Sequence, residues 1–208
     1  MNFSAINRPE IPFSQELLRK ATHLGALVIP SLYYIHGLSK TDALLVLVPI
    51  TLLIFVLDAG RIRGWKIWKL FGARLIGKMI RMHEAGGDFT GATYILASAC
   101  CTIALYPKPI AIAALAFIIV GDSFAAIVGR LWGRHKFGRK SFEGSTGCLV
   151  GTLIVAFCVP DIPLQVAIPG GVIATVVEAL STKIDDNISV PILSGLGMVL
   201  IQKMINFG

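Results

Sequence analysis

The residues best suited to chemistry lie between Gly121 and Gly147. The run reads Gly-Asp-Ser-Phe-Ala-Ala-Ile-Val-Gly-Arg-Leu-Trp-Gly-Arg-His-Lys-Phe-Gly-Arg-Lys-Ser-Phe-Glu-Gly-Ser-Thr-Gly. Asp122 interrupts an apolar stretch, and basic residues and glycines follow at once. An ionisable group in a membrane-type segment costs roughly 2.5–3.5 kcal/mol on insertion scales, so it marks a functional site by default. Asp122 needs a cation beside it. One choice is Mg²⁺, which takes one or two carboxylates together with substrate phosphates and water. The other is a structural ion pair, for example with Arg130. Arg134, Arg139 and Lys140 carry enough charge to neutralise a triphosphate, and Gly138, Gly144 and Gly147 permit close backbone approach. The plainer alternative is a solvated basic loop. Residues Gly133 to Ser141 nearly spell a phosphate-binding P-loop, but one residue too many precedes the lysine and no strand is expected before it.

A second acidic group, Glu178 followed by Asp185, Asp186 and Asn187, precedes Pro191. If helix continues from Glu178, Asp185 lies two turns on, on the same face. Carboxylates at one depth with Asp122 would repel one another unless a divalent cation joined them. Asn187 as a simple helix cap is the alternative for that residue. His23, His36, His83 and His135 show no metal spacing; His23, after Arg19 and Lys20, is the best functional candidate among them.

These residues must be positioned by membrane helices. The 208-residue chain is 55% hydrophobic and only 15% charged, well below the roughly 25% charge of ordinary soluble domains, and its mean hydropathy is +0.75. Stretches 21–39, 43–57, 89–107, 109–121, 144–160, 162–177 and 187–202 lack Asp, Glu, Lys and Arg. A spanning helix needs about 20 mostly apolar residues, and snorkelling Lys or Arg completes the shorter ones. The expected fold is all-α: a polytopic membrane protein of about seven transmembrane helices, six being the competing count. The spans form one domain, 1–208, with catalytic loops 121–147 and 178–191. Residues 61–82, with Trp65 and Trp68 among lysines and arginines, predict an amphipathic helix in the headgroup layer. Pro12 to Lys20 predicts a shorter one. Span two is expected to end at Asp58. His83 to Gly91 predicts a loop in which Asp88 or Thr90 caps the next helix, or else a second wall of the site. Residues 21–39 serve as an uncleaved first anchor.

The net charge of +7 does not point to nucleic acid, because its distribution follows the membrane. Inner segments 1–20, 59–88, 129–143 and 181–186 hold sixteen of the nineteen Lys and Arg residues, and Lys40, Lys108 and Lys203 fall outside. That asymmetry places the N-terminus and the active site in the cytoplasm, where basic surface attracts headgroups and nucleotide phosphates. Cys100, Cys101, Cys148 and Cys158 fall in spans without metal spacing and read as small apolar fillers. Glycine-rich spans suit helix packing within or between subunits, so an oligomer is compatible with the sequence.

Gly121-Asp122-Ser123 through Gly129-Arg130 and Gly133, followed by Lys140-Ser141-Phe-Glu143-Gly144-Ser145, resembles the signature of CTP-dependent lipid kinases: the phytol, farnesol, dolichol and polyprenol kinases and the CTP-using diacylglycerol kinases. Glu178 with Asp185-Asp186-Asn187 and Val190-Pro191 is similar to their C-terminal motif, and Glu16 to His23, with Arg19 and Lys20, to their N-terminal one. The Gly-Asp-Ser portion also resembles CDP-diacylglycerol synthases, whose C-terminal pattern Ser181 to Asp185 does not reproduce cleanly. The resemblance implies a membrane kinase that moves the γ-phosphoryl group of CTP to the hydroxyl of an isoprenoid or glyceride alcohol. Asp122, Asp185 and Asp186 would bind Mg²⁺. Arg130, Arg134, Arg139, Lys140, Ser141, Gly144, Ser145 and Asn187 would hold nucleotide and phosphates. Asp122, Glu178, Asp185 and Lys140 form the catalytic set, with Glu178 or a neighbouring Asp orienting or deprotonating the hydroxyl. Arg19 and His23 would border the entrance of the lipid, whose tail stays in the bilayer. The rival readings are a cytidylyltransferase making a CDP-lipid and a small transporter; the latter predicts midplane acids and inverted repeats, and no repeat is visible.

Overall fold

A computed structural model describes residues 20–65, 89–138, 140–181 and 185–207. Arg19, Arg139, the stretch His83 to Asp88 and most of the expected interfacial helix lie outside them, as does the Pro12 segment.

Among the described residues the fold is all-α apart from one small hairpin. Helical residues 20–25 lead through a turn at 26–27 into α1 (Val28–Ile35). Then follow α2 (Lys40–Ile62), α3 (Gly91–Leu105), α4 (Lys108–Trp132), α5 (Phe142–Cys158), α6 (Leu164–Leu180) and α7 (Asp186–Phe207). Two-residue strands β1 (Lys136–Phe137) and β2 (Lys140–Ser141) pair antiparallel between α4 and α5, with Phe137 opposite Lys140. Gly138 supplies the positive φ of 60° that primed hairpin turns require at a central position. Helices α2, α4 and α7 are each long and apolar enough to cross a membrane; α3, α5 and α6 are shorter and apolar.

The chain marks its own helix starts. Ser39 and Asp42 form a reciprocal capping box at α2, after the positive φ of Gly37 has turned the chain. Ser141 caps α5 by accepting from the amide of Gly144. Two expected boundaries shift. Helix α2 does not stop at Asp58 but runs on to Ile62, and α4 runs past Asp122 to Trp132. Nothing in either sequence breaks the helix at those acids, because each carboxylate finds a partner in the bundle instead.

Helix α4 is the axis. Its residues Ile110 to Ile119 are buried, and α5, α6, α7, α1 and α3 pack around it. Glycines let α5 lie against it. The Cα of Gly144 sits 3.3 Å from where a Cβ on Gly129 would be, and a Cβ on Gly147 would stand 2.7 Å from Val128. Small residues at such seams are how helices associate where lipid removes the hydrophobic drive between them. Thr152 and Thr175 add a hydroxyl contact of 3.2 Å between α5 and α6. Peripheral α2 instead turns Leu45, Val46, Leu52 and Leu53 outward, as a lipid-facing helix does.

Candidate active site

Asp122 on α4, Glu178 on the last turn of α6 and Asp186 at the start of α7 converge. One carboxylate oxygen from each lies within 4.8 Å of the others. Three acids brought this close in an apolar bundle raise one another's cost of ionisation unless cations join them. Two lysines do so. Lys20, from the helical segment 20–25, places Nζ 2.5 Å from Asp122 Oδ2 and also donates to the Asp122 carbonyl at 3.2 Å. Lys140, from β2, places Nζ 2.6 Å from Glu178 Oε1 and 3.7 Å from Asp186 Oδ2, and also donates to the Glu178 carbonyl. His23 Nε2 stands 3.5 Å from Asp122 Oδ2. Five separated segments thus meet in one charged cluster.

The cluster offers hard oxygen donors of the kind Mg²⁺ prefers. Glu178 Oε2 is buried and lacks a hydrogen-bond partner among the described residues, as do Asn187 Oδ1 and Ser145 Oγ. Asp122 and Asp186, with carboxylate oxygens within 4.8 Å of each other, are a pair of hard donors that a divalent cation fits, and the Glu178 acceptor stays available beside them.

The other sequence candidates fall in different places. Asp185 was expected among the metal ligands, but it is turned to its own chain. Its Oδ1 accepts from the amide of Asn187 at 2.9 Å and from Asn187 Nδ2 at 2.6 Å. Asp185 is therefore the cap of α7, a place the sequence offered to Asn187. The continuous helix from Glu178 to Asp185 does not form either, because α6 ends at Leu180 and α7 begins at Asp186. That break brings Asp186, rather than Asp185, to Glu178. The sequence places Ser141 and Gly144 at phosphate; here they make the α5 cap, and a Cβ on Gly144 would stand 3.1 Å from the Ala125 carbonyl. Ser145 follows on the first turns of α5. Arg130 and Arg134 are exposed at the α4 end and the hairpin. Glu143 closes the hairpin base, with Oε1 2.7 Å from His135 Nδ1. That imidazole, helped by backbone amides, holds the Glu143 carboxyl down at about 2.

Two residues stand outside the candidate site set that the sequence gives. Lys20 enters there only as a member of the N-terminal motif, with no role of its own; the signal that finds its role is a lysine opening an apolar span, where it must be buried and paired. Asp58 was read as a span end. It is buried, and its Oδ2 accepts from the Thr90 amide at 2.6 Å and from Thr93 Oγ1 at 2.8 Å, while Oδ1 pairs with Arg61 Nε at 2.8 Å. Asp58 thereby caps α3 from a neighbouring helix.

Two curated proteins are similar to the chain. CTP-dependent diacylglycerol kinase 1 of Saccharomyces cerevisiae is 24% identical over 216 residues, covering 90% of this chain and 74% of the relative. CTP-dependent diacylglycerol kinase 1 of Schizosaccharomyces pombe is 25% identical over 158 residues, covering 67% and 72%. They show the resemblance to CTP-dependent lipid kinases that the motifs carry. No family model matches the chain, and no solved structure matches it significantly.

Proposed function

We propose that the chain is a CTP-dependent lipid kinase, a single membrane-embedded domain that transfers the γ-phosphoryl group of CTP to the hydroxyl of a lipid alcohol. The observation that carries this reading is the convergence of Asp122, Glu178 and Asp186 with Lys20 and Lys140, from the same segments that bear the kinase-like motifs. The relatives, both CTP-dependent diacylglycerol kinases, favour diacylglycerol as acceptor over phytol or a polyprenol.

Phosphoryl transfer asks the protein for charge neutralisation and in-line positioning more than for covalent chemistry. The lipid oxygen attacks the γ-phosphorus, the bond to the β-phosphate oxygen breaks, and CDP leaves. Asp122 and Asp186 would hold a Mg²⁺ ion, which would supply neutralisation of phosphate charge. Lys140, with Arg130, Arg134 and Arg139, holds the phosphates; Asn187 and Ser145 offer further polar contacts. Glu178 is held through Oε1 by Lys140, so its unpartnered Oε2 accepts the hydroxyl proton. Lys20 and His23 fix Asp122 and stand where the lipid headgroup enters. The site faces the cytoplasm, where CTP is supplied.

The test is transfer of label from γ-labelled CTP into diacylglycerol, phytol, farnesol or a long polyprenol by purified protein in detergent with Mg²⁺. Glu178→Gln is expected to lower the rate about 10²–10⁴-fold, the usual worth of a general base, and Asp122→Asn and Asp186→Asn to abolish transfer. If folded, CTP-binding protein labels no lipid alcohol, the kinase reading is wrong. Release of pyrophosphate instead of CDP would establish the cytidylyltransferase.

A further inference from the structure

An apolar cleft of about 450 Å³ lies between the segment 20–35, α2 and α3. Thr22, Ala26, Leu32, Tyr33, Leu47 and Ile95 define its course, and among the described residues that line it only Thr22 and Tyr33 carry a polar side-chain atom. Its volume is in the roughly 300–1,000 Å³ range of small-molecule sites, yet it has almost nothing with which to bind a polar ligand. At one end Thr22 lies between Lys20 and His23, the two residues that reach Asp122. The cleft therefore begins one residue along the chain from His23, on the segment that reaches the cluster. Its sides are open: Val46 and Ile50 on its α2 wall are 59% and 44% exposed, toward whatever surrounds the bundle.

The far end is shut. Tyr33 is 2% exposed, with Lys108 Nζ 4.8 Å from its ring centroid. The same ammonium donates to the Leu38 carbonyl at 2.9 Å, so Tyr33 and the turn after α1 are pinned to the start of α4. Tyr33 lies in the second turn of α1, beyond the turn at 26–27 that separates it from Thr22.

We propose that this cleft holds a hydrocarbon chain of the lipid alcohol, and that Tyr33 closes it and so sets the chain length accepted. The inference rests on the kinase reading above. Ala26→Phe fills the cleft midway and Tyr33→Ala opens its end; neither residue touches the charged cluster. With dioctanoylglycerol and dioleoylglycerol compared in mixed micelles, Ala26→Phe is expected to raise KM for the long-chain acceptor about tenfold, the worth of a couple of displaced methylenes. KM for CTP and for the short-chain acceptor should hardly change. Tyr33→Ala should shift the kcat/KM ratio toward the long-chain acceptor. Equal effects on both acceptors, or none, would overturn the proposal.

A second measurement needs no turnover. Wild-type protein is photolabelled with a diacylglycerol carrying a diazirine at its chain end, and the labelled peptides are mapped. Label within 22–33, 43–50 or 92–96, displaced by unlabelled diacylglycerol and not by phosphatidylcholine, supports the cleft. Label elsewhere sinks it, and equal displacement by phosphatidylcholine means a resident bilayer lipid and sinks it too. Should the chain phosphorylate no lipid alcohol, the kinase reading falls while this labelling still decides what the cleft holds.

Discussion

Lys140 and Glu178 show how much rests on single charges here. Breaking a buried ion pair by removing one partner costs about 3–5 kcal/mol because the other charge is left unpaired. Lys140 is 22% exposed, and water screens part of that, so Lys140→Met is expected at the low end of the range. It should lower thermal stability in detergent as well as activity, and Mg²⁺ should restore stability by taking the place of the ammonium. A variant no less stable than wild type without Mg²⁺ would mean that the pair contributes nothing. Glu143 makes a prediction of the opposite kind, about acid. Its carboxyl lies at about 2 rather than the usual 4.5, chiefly through the His135 hydrogen bond. A depressed carboxylate adds stability above its unfolded value and loses it as pH falls through the folded one. Protection of the His135 amide, which donates to Glu143 at 3.2 Å, should therefore hold at pH 5 and fade between about 4.5 and 2. In Glu143→Gln hydrogen exchange at that amide should lack this step; a step that persists would assign it to another group.

At the scale of elements, the glycines of the α4–α5 seam and the caps at the charged end matter most. A Cβ on Gly147 would stand 2.7 Å from Val128 and 3.0 Å from the Phe124 carbonyl. Gly147→Ala gains about 0.5–1 kcal/mol from helix propensity but overpacks the seam at about 1–3 kcal/mol, so the net sign is destabilising. A thermal midpoint equal to or above that of wild type would show that α5 can shift without cost. Asp58→Ala removes the cap that α2 supplies to α3, worth about 0.5–2 kcal/mol, together with the Asp58–Arg61 ion pair. The expected result is early exchange of the amides at the start of α3, with α5 and α6 unaffected. Uniform loss of protection across all helices would mean that Asp58 holds the whole bundle rather than one junction.

Across the whole molecule, polar ties gather at two opposite ends. Lys40 reaches the Ala104 carbonyl and Lys108 the Leu38 carbonyl at one end. Asp58 with Thr90, Lys20 with Asp122 and Lys140 with Glu178 tie the other. The segments that sequence charge assigns to the two sides are thus segregated in the fold, and the orientation proposed from the positive-inside rule has the Lys140 end on the cytoplasmic side. In a background with the four cysteines replaced, Asp161→Cys should react with an impermeant maleimide in intact cells. Arg134→Cys should react only after permeabilisation. The reverse pattern would invert the orientation and remove the site from cytoplasmic CTP.

Charge-free runs and the acids that bound them were enough to read the helices and the segments of the site from the sequence. Hydropathy is a local property, and a carboxylate at a span end is costly wherever the span lies. Asp122, Glu178 and Asp186 were legible as candidates on those grounds, and Lys140 from the basic loop that follows Asp122. Their partnership was not. Whether Asp185 or Asp186 faces Glu178 depends on where α6 breaks, and a one-residue change there rotates the side chain by about 100° on the helix. Glycine is equally ambiguous along the chain: Gly144 and Gly147 look as suited to phosphate as to a neighbouring helix, and packing against α4 decides. Lys20 and Asp58 acquire their roles only because remote segments arrive beside them, across separations of 102 and 32 residues. Sequence determined which groups must be paired inside the bundle; tertiary structure alone decided with whom, because pairing depends on distance between helices and not along them.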